Sequence, residues 1–166
     1  MAARLVIGVI GGGHEIFQDQ YQLAYDTGML IAQRNAILVC GGLGGIMEAA
    51  SKGAVEHEGT VIGILPSTIK ADANPYVTIA IPTGFGMARN SLVVNASDAI
   101  IAFPGAFGTL SEIALALESG KSVVYLPGTW DLKKAGSVEG KRFIEAFDAR
   151  QAVGMALGEI GKMGRG

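Results

Sequence analysis

The stretch LVIGVIGGG at residues 5–13 decides the fold, because a short apolar run here ends in three glycines. A continuous apolar run of this length is typical of a strand buried on both faces, as in a parallel sheet. Further runs of the same kind lie at residues 36–40, 60–65, 99–103 and 122–126, with weaker candidates at 77–81 and 142–147. The chain therefore predicts about seven short strands.

Segments with a helical period separate these runs. They cover residues 18–34, 45–58, 87–97 and 109–119, and a last helix is predicted over 149–160 with Asp148 as its N-cap. Asn35 is suited to a left-handed helix end. Alternation of strand and helix predicts right-handed crossovers. We expect a Rossmann-like α/β fold, a doubly wound and mainly parallel sheet with helices on both faces, in one domain over residues 1–166.

Composition excludes several classes of protein. The 166 residues are 49% hydrophobic and 17% charged, with a formal net charge of -2, so no global positive field attracts nucleic acid or an anionic membrane. No apolar run reaches the roughly 20 residues of a membrane span, and residues 5–10 are too short for a secretory signal. The single cysteine, Cys40, excludes an internal disulfide and a cysteine zinc cage. We expect a cytoplasmic protein without nucleic-acid or membrane partners.

Three glycine clusters each follow a predicted strand and precede a predicted helix. Glycine lets backbone N–H groups approach an anion, and a helix N-terminus adds partial positive charge. One cluster alone is best explained as a tight turn, whereas three at the carboxyl edge of one sheet favour a phosphate-bearing ligand. The candidate ligand-binding residues are Gly11, Gly12, Gly13, Gly41, Gly42, Gly44, Gly45, Met47, Pro104, Gly105, Ala106, Phe107, Gly108 and Thr109.

Common nucleotide signatures are incomplete. In the G-x-G-x-x-G pattern the third glycine position holds Ile16 or Met47, and no acidic residue follows the second strand, which disfavours a dinucleotide dehydrogenase. The order Ser-Lys-Gly at residues 51–53 reverses the end of a Walker A loop and makes an ATPase improbable. His14 and His57 lack the partner spacing of a metal site, so no metal is predicted.

Arg89, Thr109 and Glu112 each allow two interpretations. Residues 109–112 read Thr-Leu-Ser-Glu, a capping box in which both side chains serve the helix start, and spacing alone favours this structural role. In the functional alternative the Thr109 hydroxyl helps to hold phosphate while Glu112 acts on a ribose. Arg89 is either a phosphate or base contact or a solvated arginine on a helix surface.

Two irregular stretches, residues 66–76 and 127–140, interrupt the regular alternation. In a compact domain such loops are candidates for lids over a ligand. A solvated excursion explains them equally well.

The ordered combination of residues 41–47, Gly53 with Ala54, Arg89 and residues 104–112 resembles the Lonely Guy and molybdenum-cofactor-carrier superfamily. Its members often carry a lysine decarboxylase label, which would require a Schiff-base lysine that nothing here nominates. Lonely Guy enzymes hydrolyse the N-glycosidic bond of cytokinin riboside 5'-monophosphates. That resemblance implies catalytic roles for Glu112, at the ribose and the attacking water, and for Arg89, at the nucleotide; the implied phosphate contacts are Gly105, Gly108 and Thr109.

The chain departs from the Lonely Guy pattern at two positions. Ala106 replaces the second glycine of P-G-G-x-G-T-x-x-E, adding a methyl that would be strained at a positive φ, and Asn90 replaces a lysine beside Arg89. Residues 88–90, 97–100 and 114–121 look closer to the carrier branch. That resemblance implies a molybdopterin-type ligand or an AMP-like nucleotide, no cofactor required for catalysis, and a homodimer or homotetramer. The alternatives are a nucleoside 5'-monophosphate phosphoribohydrolase and a non-catalytic nucleotide-sensing module.

Overall fold

The computed structural model describes residues 3–128, 130, 132 and 142–163. These residues form seven strands, five α-helices and two 3₁₀ turns. The strands are β1 (Val6–Ile10), β2 (Ile37–Cys40), β3 (Thr60–Leu65), β4 (Ile79–Pro82), β5 (Ala99–Ala102), β6 (Ser122–Tyr125) and β7 (Phe143–Glu145). The helices are α1 (Gln18–Gln33), α2 (Ile46–Val55), α3 (Asn90–Ala96), α4 (Phe107–Glu118) and α5 (Ala149–Met163); the 3₁₀ turns are Lys70–Asp72 and Gly86–Arg89.

All seven strands join one parallel sheet in the order β4-β3-β2-β1-β5-β6-β7. The predicted doubly wound α/β fold is confirmed. β1 lies at the centre, where Gly8 is in register with Val39 of β2 and with Ile100 of β5. The strand order reverses between β1 and β5. In open α/β sheets the crevice at such a reversal, beyond the carboxyl ends of the strands, is where ligands bind.

Helices cover both faces of the sheet. α1, α2 and α5 pack on one face, against a buried cluster that includes Ile7, Leu38 and Ile101. α3 and α4 pack on the other face, where Val39 and Ile100 are buried. Adjacent residues of one strand, such as Leu38 and Val39, therefore serve opposite cores. This explains the continuous apolar runs in the sequence, since both sides of each central strand are buried.

The backbones of α1 and α2 touch, which fixes the position of α2. A Cβ atom at Gly28 would lie 1.9 Å from the carbonyl oxygen of Ala50, and one at Gly53 would lie 2.0 Å from the carbonyl oxygen of Tyr25. Only glycine permits this approach. The start of α2, which carries the second glycine cluster, is thereby anchored to the rest of the fold.

Two predicted helix ends are confirmed. Asn35 adopts a φ of 54° just after α1, and the Asp148 carboxylate accepts a 2.7 Å hydrogen bond from the Gln151 amide at the start of α5. The predicted helix 87–97 is instead a 3₁₀ turn followed by α3. The last predicted strand before it, 77–81, is shifted to Ile79–Pro82, because the Val77 amide donates to the Asn74 carbonyl in a turn.

Of the predicted irregular stretch 127–140, only Pro127, Gly128, Trp130 and Leu132 are among the described residues. None of the helices in the described ranges combines the length and the apolar character that a membrane crossing demands.

Candidate functional site

The three glycine loops meet at the carboxyl end of β1. The Gly12 amide donates a 2.9 Å hydrogen bond to the Pro104 carbonyl, and the Ile46 amide donates a 2.9 Å bond to the Gly12 carbonyl. The loops after β1, β2 and β5 are thus joined through one residue. This convergence lies at the reversal of strand order, as the sequence predicts, but it uses the amide of Gly12, one of the predicted ligand-binding residues.

Close packing between the loops and within the third loop explains two of the glycines. Gly45 has a φ of 64°, and a Cβ atom there would lie 2.2 Å from the Gly12 carbonyl oxygen. A Cβ atom at Gly105 would lie 2.1 Å from the Thr109 hydroxyl oxygen and 3.0 Å from the Gly12 amide nitrogen. These glycines allow the loops to approach one another, whether or not a ligand is bound.

The loop after β2 has a brace that the sequence did not reveal. Asn74, which is buried, donates from its side chain to the Leu43 carbonyl at 2.9 Å and from its backbone to the Gly42 carbonyl at 2.8 Å. It belongs to the stretch 66–76 that the sequence offers as a lid. This part of the stretch holds the second glycine loop in place.

A cleft of about 240 Å³ opens beside the junction of the loops. Its walls include Gly11, Gly12, Gly13, Gly41, Met47, Arg89, Ala106, Gly108, Thr109 and Glu112 from the predicted site, together with Val9, Ile10, His14, Met87 and Asn90. Gly42, Gly44, Gly45, Pro104, Gly105 and Phe107 line no part of this cleft. The structure therefore brings most of the predicted residues together and places the others in the loops behind them.

The start of α4 forms one wall of the cleft. α4 begins at Phe107, two residues earlier than predicted, with Ala106 before it in an extended conformation (φ -90°, ψ -159°). The amides of its first turn, residues 107–109, have no partner within the helix and carry the positive end of its dipole. Ala106 has a negative φ, so the strain that its methyl group would cause at a positive φ does not arise.

The predicted capping box is wrong. Thr109 lies inside the first turn of α4 instead of before it, and no side chain caps this helix. Glu112 is buried and faces Arg89. The preference for a structural cap failed because the Thr-Leu-Ser-Glu spacing does not reveal where the extended residue before the helix lies.

Arg89 and Glu112 form a buried ion pair on the floor of the cleft. Arg89 Nη1 lies 3.5 Å from Glu112 Oε1, and the two side chains are 9% and 8% exposed. The guanidinium lies against the backbone of Gly41, where a Cβ atom would come within 2.4 Å of Nη2. Arg89 Nε is buried without a hydrogen-bond partner among the described residues. The alternative of a solvated surface arginine is excluded.

Asn90 positions this arginine, a role that sequence reasoning missed. Arg89 Nη1 donates to Asn90 Oδ1. Asn90 Nδ2 donates to Ser111 Oγ at 2.9 Å and, more weakly, to the Gly108 carbonyl at 3.4 Å. Asn90 is buried and ties the 3₁₀ turn to the first turns of α4. The position of Asn90 beside Arg89 is the one feature of the sequence that points to this role. From the sequence alone, the asparagine indicates only that a lysine charge is absent.

Burial dominates the electrostatics of the pair. It raises the pKa of Glu112 to about 7, against the opposing effect of Arg89. Burial also raises the pKa of the Cys40 thiol beneath the cleft, whose sulfur accepts a hydrogen bond from the Gly42 amide. Glu112 can therefore exchange a proton near neutral pH, whereas Cys40 is fully buried and does not line the cleft.

A second, wider groove of about 520 Å³ shares Gly13 and His14 with the cleft. Its other lining residues are Glu15, Ile16, Tyr21, Gly45 and Glu48.

Next to the α4 start, Trp130 Nε1 donates to the Gly105 carbonyl at 3.1 Å, and its ring lies 5.7 Å from that of Phe107. No sequence spacing links Trp130 to the third loop, since the contact spans 25 residues.

Fold and cleft define a doubly wound α/β protein with a ligand-sized cleft at the reversal of strand order. Residues 4–154 match the SLOG cluster4 family, so the chain belongs to that family. The resemblance found in the sequence, to the Lonely Guy and molybdenum-cofactor-carrier superfamily, is confirmed. An uncharacterized protein of Archaeoglobus fulgidus is 45% identical over 139 residues, which are 84% of this chain and 87% of that protein.

Two solved structures have the same architecture over nearly their whole length. The molybdenum cofactor binding protein of Rippkaea orientalis is 36% identical with a TM-score of 0.87, covering 95% of this chain and 98% of that one. The molybdenum cofactor carrier protein of Chlamydomonas reinhardtii is 34% identical with a TM-score of 0.84, covering 96% of this chain and 99% of that one.

Proposed function

We propose that this protein binds a phosphorylated ligand of the molybdopterin type in the cleft and carries it without converting it. The observation that carries the proposal is the junction of the α4 first turn with Arg89, whose buried Nε has no partner among the described residues. A phosphate oxygen would accept hydrogen bonds from the unused amides of residues 107–109, and the Arg89 guanidinium in the same cleft would offset its charge.

The shape of the site supports a ligand larger than phosphate. The second groove adjoins the cleft, since Gly13 and His14 line both, and it holds the aromatic ring of Tyr21 and the carboxylate of Glu48. A pterin has a flat ring for the first and N–H donors for the second. The similarity to proteins described as molybdenum cofactor binding and carrier proteins supports the same ligand class.

The residues present fit such a ligand through its phosphate and ring. Cys40 is the only cysteine of the sequence and is fully buried, so it would not contact the metal of a cofactor in this cleft. The protein's own contribution would be to hold the anionic end and to shield the ring from water.

A second candidate, a nucleoside 5'-monophosphate phosphoribohydrolase, is favoured by one observation. Glu112 lies in the cleft with a pKa raised to about 7, which suits a group that exchanges protons during cleavage of an N-glycosidic bond. Arg89 would stabilise the charge of the nucleotide. The replacement of the neighbouring lysine by Asn90 argues against this activity.

Ligand binding and hydrolysis can be separated by one set of measurements. Molybdenum cofactor, AMP and inorganic phosphate are each added, and the free energy of unfolding is followed. A ligand at about 100 times its dissociation constant should stabilise the fold by about 2.7 kcal/mol. Release of the free base, adenine from AMP or N6-isopentenyladenine from its N6-isopentenyl analogue, is assayed in parallel. Turnover that Glu112→Gln abolishes would overturn the carrier proposal.

Gly108→Val tests the position of the phosphate. A side chain at Gly108 meets only the flexible end of Met87, at 3.2 Å, so folding should survive while the branched side chain obstructs the α4 wall. We expect loss of ligand-induced stabilisation with a small change in the stability of the free protein. Equal loss of both would show that the loop is structural only.

The homo-oligomer, the cytoplasmic location and the lack of nucleic-acid partners stay predictions.

A further inference from the structure

Resting on the proposed function, we propose that Glu112 takes up a proton when the cleft binds an anion, so that anion affinity falls as pH rises through neutrality. The proposal begins with the geometry of α4. Thr109 and Glu112 are three residues apart on this helix and both line the cleft, so their side chains are neighbours on one face. An anion at the first-turn amides lies about one helical turn, ~5 Å, from the Glu112 carboxyl group.

The charges around that position do not balance once an anion is bound. Among the described residues that line the cleft, Arg89 supplies the one permanent positive charge, and Glu112 already pairs with it at 3.5 Å. An added anion places a second negative charge against one positive charge. Both members of the pair are nearly buried, where water screens the repulsion poorly.

Protonation of Glu112 removes this conflict. The neutral carboxyl group no longer repels the anion, and the full charge of Arg89 becomes available to it, while Asn90 continues to hold the guanidinium. Burial has already brought the pKa of Glu112 to about 7, so little free energy is needed for the proton near neutral pH. The bound anion raises this pKa further, because a neighbouring negative charge disfavours the carboxylate.

Within the described part of the chain, the other titratable groups around Glu112 come from three elements. Arg89 faces Glu112 from the 3₁₀ turn. Cys40 of β2 lies close enough for the charge of Glu112 to raise the pKa of its thiol. His14, from the segment after β1, lines the same cleft and is exposed. His14 is therefore the residue to replace as a control for Glu112.

Sulfate is the probe that isolates the protein's proton, because it stays a dianion throughout the neutral range whereas phosphate titrates. Sulfate binding is measured by calorimetry between about pH 6 and pH 8.5, in two buffers with different ionisation enthalpies. We expect uptake of up to one proton and an affinity that falls by up to about tenfold per pH unit above pH 7. In Glu112→Gln both effects should vanish. Glu118→Gln, which replaces an exposed glutamate of the same helix, should keep both. His14→Gln, which alters the wall of the cleft, should keep the proton uptake whatever its sulfate affinity.

Infrared difference spectroscopy gives a second measurement that needs no variant to fold. A carboxylic acid band should appear when sulfate is added to the wild-type protein at about pH 8. Sulfate binding without proton exchange, or uptake that His14→Gln removes, would overturn this inference and leave the proposed function intact. Failure of sulfate, phosphate, AMP and molybdenum cofactor to bind at any pH tested would overturn both.

Discussion

The loop after β2 and the start of α4 are both rich in glycine, but their backbone groups do different work. Around Gly45 the absence of a side chain lets one carbonyl approach within 2.2 Å of where Cβ would be. At Gly108 the nearest atom is the flexible end of Met87, at 3.2 Å. In the first region, protein backbone fills the space beside the glycine. In the second region, the amides have no partner within the helix and border the cleft. Glycine content alone does not distinguish a structural junction from an anion site. The two are distinguished by whether the backbone amides already donate hydrogen bonds within the protein.

The largest expected effect separates these two regions directly. Gly45→Ala should destabilise the fold by about 3 kcal/mol or more, since the methyl group meets the Gly12 carbonyl and the positive φ is strained. Gly108→Ala, the same change, should cost less than about 1 kcal/mol and can even stabilise the helix. Urea unfolding measures both. Similar losses in the two variants would remove the distinction between the regions.

A second prediction concerns the pH dependence of stability at the α4 side. The pKa of Glu112 is raised to about 7 in the fold from an ordinary value of 4.5, so the folded state holds this proton more tightly than the unfolded chain. The stabilisation is full below about pH 4.5, declines as pH rises, and is lost above about pH 7.

The matched comparison is Glu112→Gln, which cannot titrate. Relative to this variant, the wild-type free energy of unfolding should fall by roughly 2–3 kcal/mol between about pH 5 and pH 8. Unfolding by denaturant at both pH values gives the difference. Parallel pH profiles would mean that Glu112 is ionised throughout, and the contribution of burial would then be overstated.

The third prediction tests how the cleft wall is held. Asn90→Ala removes the nearer acceptor of Arg89 Nη1 and the donor to Ser111 Oγ, so that Nη1 keeps only its 3.5 Å contact with Glu112. We expect a loss of about 1–3 kcal/mol together with weaker sulfate binding. Ser91→Ala is the control, because Ser91 is half-buried and its hydroxyl donates locally to the Ala88 carbonyl. If both variants behaved alike, Asn90 would not be what positions Arg89.

Sequence patterns predicted the frame of the molecule well. The apolar runs located the five inner strands, because burial on both faces leaves an unbroken signal, whereas the edge strands β4 and β7 gave weaker patterns. The glycine clusters marked the edge where β1, β2 and β5 end. Patterns could not show that Gly12 joins all three loops, since that depends on contacts far apart in the chain. The same limit applies to Asn74, which braces a loop 31 residues away.

Side-chain roles in the site were harder to predict than its location. Arg89 and Glu112 are 23 residues apart, and only the fold shows that they pair in a buried place. The spacing of Thr109 and Glu112 matches a helix cap only if the helix begins after Thr109. The sequence does not show whether Phe107 belongs to the loop or to the helix, so it does not fix that start. Asn90 looked like a missing charge because its partners are on another helix.

The smallest expected effect concerns Ala106, which differs from the glycine of the Lonely Guy pattern. Its φ of -90° and ψ of -159° are open to any residue, and it is exposed at the edge of the cleft. Ala106→Gly should therefore cost at most about 1 kcal/mol, through the greater freedom of the unfolded chain, and change sulfate affinity by less than about twofold. A tenfold gain in affinity, measured by calorimetry, would show that the methyl group obstructs the anion. A side chain would then partly block the amides at the start of α4. This region would differ less from the loop after β2, where protein backbone occupies the space beside the glycine.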